Sequence, residues 1–86
     1  MYNKFIYALP LNPIEVCANA HIDYYDLYPD VQLTLDNLCE SVKVANEAYE
    51  LSLEQNYKVH INYWEREISM LLENINDLLF ENQGYI

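Results

Sequence analysis

From Val31 to Asn82 the chain contains neither glycine nor proline, and through most of that run apolar residues recur in steps of three and four. The series is Leu35, Leu38, Val42, Ala45, Tyr49, Leu53, Tyr57, Ile61, Trp64, Ile68, Leu71, Ile75 and Leu78. Such steps average close to 3.6, the period that keeps side chains on one face of an α-helix. A stretch of this kind folds as helix, and its apolar face must be buried against something.

The seam is not uniform. From Leu35 to Tyr49 the steps run 3-4-3-4, and from Ile61 to Leu78 they run 3-4-3-4-3. Between those halves they run 4-4-4, which shifts the stripe round the helix. Two shapes fit. One is a continuous rod of roughly 45 residues and about 70 Å, which could bury its seam only by self-association. The other is a hairpin turning near Glu54-Gln55-Asn56-Tyr57, with Asn56 in the left-handed position that closes a helix. A hairpin can bury its seam against itself and a further helix, and it is the favoured reading.

A preceding helix is signalled by Asn12-Pro13-Ile14-Glu15, with Asn as N-cap, Pro at the first helical position and Glu behind it. It is expected from Pro13 to about Tyr28, where Pro29 disfavours helical geometry in the residue before it. Its apolar face would carry Ile14, Cys17, Ala18, His21, Tyr24, Tyr25 and Tyr28. Thr34 is the expected N-cap of the second helix. Residues 1–11 (MYNKFIYALPL) form an apolar lead, expected as an extended arm ended by Pro10.

The expectation is a single-domain, all-α, small three-helix bundle: a short N-terminal helix at about 13–28, then a long helical hairpin of about 34–55 and 58–82. The last helix carries extra apolar residues, Leu72, Leu79 and Phe80, that imply burial on two sides. The alternative is a small α+β fold. Tyr57, Val59, Ile61 and Tyr63 alternate with polar residues in strand fashion and could pair with residues 4–9 in a short two-stranded sheet. Two strands alone are a poor unit of stability, which weighs against it.

Function has to be sought in charge. Four basic against fourteen acidic residues give −10 on 86 residues, and no base lies between Lys4 and Lys43. That field repels nucleic acid and anionic membrane and favours basic partners. The acids also fall in rows. Glu73, Asp77 and Glu81 lie at i, i+4, i+8, and Glu47, Glu50 and Glu54 share another helix face. Like charges so spaced cost a few tenths of a kcal/mol per pair in an isolated helix. Their rise of about 6 Å per step matches the phosphate spacing along a nucleic-acid strand. A second candidate segment is Asp23-Tyr24-Tyr25-Asp26-Leu27-Tyr28-Pro29-Asp30, which mixes carboxylates with the aromatic most at home in interface hot spots.

Material for catalysis is scarce. Ser41, Ser52 and Ser69 fall within helical stretches, the single glycine excludes a phosphate-cradling loop, and one Arg with three Lys leaves little to hold anionic substrates. No enzyme activity and no cofactor are expected. Cys17, His21, Cys39 and His60 together offer a tetrahedral zinc set. Their spacing, C-x3-H-x17-C-x20-H, is that of no zinc finger, and core cysteines beside packed or rim histidines are the favoured reading.

Two cysteines make no disulfide framework, and neither a signal peptide nor a run of ~18 apolar residues is present. The expected location is the cytoplasm, with a composition that points to an AT-rich bacterial or phage genome. The best functional expectation is a small acidic inhibitor that occupies a basic, nucleic-acid-binding surface of a target protein, such as a nuclease. Phage anti-defence proteins (anti-CRISPR or antirestriction DNA mimics), acting in the host cytoplasm, and nuclease immunity proteins share this size and charge. Its partner residues would be Asp23, Tyr24, Tyr25, Asp26, Tyr28, Asp30, Glu47, Glu50, Glu54, Glu73, Asp77 and Glu81. The competing expectation is a non-enzymatic adaptor that dimerises through its long helices and keeps its acids as a solvated outside.

Overall fold

The computed structural model describes residues 12–83. Three α-helices follow one another: α1 (Pro13–Asn19), α2 (Pro29–Gln55) and α3 (Lys58–Gln83), with a single 3-10 turn over Tyr24–Asp26 between the first two. The described residues contain no strand, and the fold is an all-α, three-helix bundle in which short α1 packs on the long hairpin of α2 and α3. The continuous rod and the α+β alternative are both displaced. From Lys58 onward the proposed strand is helix: Ile61 and Trp64, three apart, turn inward, while Val59 and Tyr63 face solvent. The arm expected over residues 1–11 lies outside the described residues.

The hairpin turns where the seam shifts. Asn56 adopts φ 57° and ψ 38°, the left-handed region. Its N–H donates to the Leu53 carbonyl (3.2 Å), and the Tyr57 N–H donates to the Ser52 carbonyl (3.1 Å). These two bonds are the Schellman closure, which satisfies carbonyls that the end of α2 would otherwise leave open. Asparagine is among the few residues other than glycine that enter this region at low cost.

The same device shortens the first helix. Asn12 caps α1 as expected, its Oδ1 accepting from the Ile14 N–H at 2.9 Å. However, α1 stops at Asn19 rather than Tyr28, because His21 turns left-handed at φ 60°. The His21 N–H bonds the Ala18 carbonyl (3.0 Å) and the Ile22 N–H bonds the Cys17 carbonyl (2.8 Å), a second Schellman closure. Ile22 and Leu27 are then buried, pinning both ends of the connecting loop, while His21, Tyr25 and Tyr28 are left outside the core.

Pro29 starts a helix here; it does not stop one. Its fixed φ and missing N–H suit the first position of α2, with Tyr28 extended before it. Thr34 is therefore inside the helix, not its cap, and its Oγ1 donates back to the Asp30 carbonyl at 2.9 Å.

The core joins Val16 and Cys17 of α1 and Ile22 and Leu27 of the loop to the facing sides of α2 and α3. Leu35, Ile68 and Ile75 are wholly buried, each contributing about 1.5–3 kcal/mol of apolar burial. The α1 side also takes up Cys39. Tyr24 Oη donates to Asp36, and Gln32 Nε2 donates to the Tyr24 carbonyl at 2.9 Å, so the loop lies along Gln32, Asp36 and Cys39. On the opposite face of the hairpin, Leu38, Trp64, Leu71 and Leu78 are only half-buried. Phe80, expected to widen the apolar stripe, is 77 % exposed. The molecule is elongated, 44 × 21 × 16 Å with a radius of gyration of 13.9 Å, against about 12 Å for a compact chain of this length. A seven-residue α1 covers only the base of so long a hairpin.

Candidate functional site

Antiparallel folding about Asn56 sets residues 72–83 beside residues 30–41, at the end of the hairpin that α1 and its loop also occupy. This base carries Glu15, Asp23, Asp26, Asp30, Asp36, Glu40, Glu73, Asp77 and Glu81, and no base occurs in residues 12–41 or 72–83. All nine carboxylates belong to exposed residues. The tip half, residues 42–71, is nearly balanced: Glu47, Glu50, Glu54, Glu65 and Glu67 against Lys43, Lys58 and Arg66. The charge of the protein is thus concentrated at one end, and a partner approaching that end meets a field of one sign.

The loop segment sits within this acidic end. Asp23 stiffens it by accepting the Tyr25 N–H on Oδ1 at 3.0 Å, and Pro29 fixes its exit into α2. Tyr25 and Tyr28 project from it, 72 % and 69 % exposed, between Asp23, Asp26 and Asp30. Tyr24 has a different role from the one anticipated. Its ring packs on the core, and its hydroxyl donates to both oxygens of Asp36 at 2.8 and 3.0 Å. That bond holds the phenol above its ordinary pKa. Tyr24 orients the edge of Tyr25, whose ring stands perpendicular to it at 5.3 Å between centroids.

The two helical acid rows are not one site. Glu73, Asp77 and Glu81 lie on α3 at the acidic end, whereas Glu47, Glu50 and Glu54 lie on the tip half of α2. The centres of the rows, Asp77 and Glu50, are separated by roughly 20 Å along the hairpin. The second row also has local partners: Lys43 precedes Glu47 by four residues, and Glu50 accepts from Asn46 Nδ2 at 3.3 Å. Asp36, Glu40 and Glu15 belong to the acidic end but were not among the expected partner residues. The gap in basic residues between Lys4 and Lys43 was their signal, and the hairpin register supplies the rest.

The four candidate zinc ligands are not assembled. Cys17 and Cys39 are free and buried together. Burial first, then the nearby carboxylates, push both thiols up, Cys39 to about 11. A thiol held protonated is the reverse of a metal ligand or a nucleophile. His21 closes α1 facing solvent, and His60 lies at the hairpin tip against Tyr57, ring centroids 5.3 Å apart. His60 is therefore about 20 Å along the hairpin from Cys39. Among the described residues no group of three or more His, Cys, Asp or Glu side chains could hold a metal ion. Ser52 spends its hydroxyl on the Ala48 carbonyl at 2.9 Å.

No described helix is long and apolar enough to cross a membrane. No family model matches the chain, and no curated protein or solved structure shows significant similarity to it.

Proposed function

We propose that the protein is a non-enzymatic inhibitor whose acidic end docks on a basic, nucleic-acid-binding surface of a partner protein. The observation that carries this reading is the segregation of charge: nine exposed carboxylates without an interspersed base, surrounding the exposed Tyr25 and Tyr28. Unpaired like charge costs the free protein stability, a cost that a cationic partner removes. Long-range attraction brings the partner in, and carboxylates spaced along α3 take positions that backbone phosphates take in its groove. Tyr25 and Tyr28 then supply rigid contact area that is desolvated on docking, which is where interface energy concentrates. Tyr24, bonded to Asp36, positions this pair and does not itself anchor.

In this reading Asp23, Asp26, Asp30, Glu73, Asp77 and Glu81 make the contact. Glu47, Glu50 and Glu54 lie too far along the hairpin to share one compact footprint and add only to the general field. The partner is a DNA- or RNA-binding protein or a nuclease complex in the same cytoplasm. A phage anti-defence protein of the DNA-mimic kind, or an immunity protein for a nuclease, is the biological form that fits the size and charge. The test is affinity capture from a host lysate with the wild-type chain and with the triple variant Asp26→Asn/Glu73→Gln/Asp77→Asn. The wild type retains a basic nucleic-acid-binding protein that elutes at moderate salt, and the triple variant does not. Equal capture by both baits refutes the reading.

A further inference from the structure

No further inference is drawn: the strongest candidate, the open groove between α2 and α3 on the hairpin face opposite α1, lined by Ser41, Ala45, Trp64 and Leu71, is an unpartnered apolar face, and nothing in the structure shows what covers it.

Discussion

Asp77 is the sharpest probe of the acidic end, because neutralising it should stabilise the free protein. It lies four residues after Glu73 and four before Glu81, and no base occurs in residues 72–83. Each like-charge pair at this spacing destabilises a helix by about 0.2–0.5 kcal/mol, so removing the central charge returns about 0.4–1 kcal/mol. Asparagine and aspartate have similar helix propensities, so the exchange is close to a pure charge change. For a domain of this size the gain raises Tm by about 2–8 °C. Thermal melts at about 10 mM salt read the full effect, and at about 1 M, where screening acts within 3 Å, it disappears. Glu47→Gln is the contrast: with Lys43 four residues earlier, its loss is neutral or costs a few tenths of a kcal/mol. If Asp77→Asn is neutral or destabilising at low salt, the carboxylate already has a favourable partner, and the acidic end is not the uncompensated field described above.

Three further outcomes follow from the packing. Ile75→Ala opens a hole in a wholly buried site and costs about 2–5 kcal/mol in urea unfolding, a large part of the total stability of a small domain. Asn56→Gly preserves or slightly improves stability, whereas Asn56→Val, β-branched at φ 57°, loses about 2 kcal/mol by the same measure. The alkaline limb tests the buried thiols. Cys39 is raised from its ordinary value of 9.0 to about 11, and Tyr24 is raised from 10.0. The unfolded chain therefore sheds these protons first, so their contribution is intact below pH 9 and is lost as pH rises toward the folded values. Melts from pH 8 to 11 should fall, Cys39→Ala should flatten the fall, and native thiols should react with a disulfide reagent only on unfolding.

What could be read from the sequence was what depends on periodicity. Leu35, Val42, Ala45, Tyr49, Ile68 and Ile75 are buried where the seam puts them, and the shift from alternating to fours located the turn at Asn56. The first helix escaped because its terminator is His21, a residue other than glycine in the left-handed region, after which the Ile22 N–H closes onto the Cys17 carbonyl. Pro29 misled for a related reason: proline ends one helix and begins another, and tertiary packing of Leu27 decides which. The acidic rows were visible in sequence, but their grouping was not. Glu73, Asp77 and Glu81 join Asp26 and Asp30 only through the hairpin register, which also separates them from Glu47, Glu50 and Glu54. Tyr24 was indistinguishable in sequence from Tyr25, and the hydrogen bond to Asp36 separates their roles.

The most direct test of the central claim is competition on a captured partner. A fluorescein-labelled duplex is bound to that protein, and its release is followed by anisotropy as wild type or Asp26→Asn/Glu73→Gln/Asp77→Asn is added, at two salt concentrations. The account predicts that wild type displaces the duplex, less effectively at higher salt, and that the triple variant needs at least about tenfold more protein, corresponding to 1.4 kcal/mol or more. Displacement by the triple variant at wild-type concentrations, or simultaneous binding of protein and duplex, would contradict it.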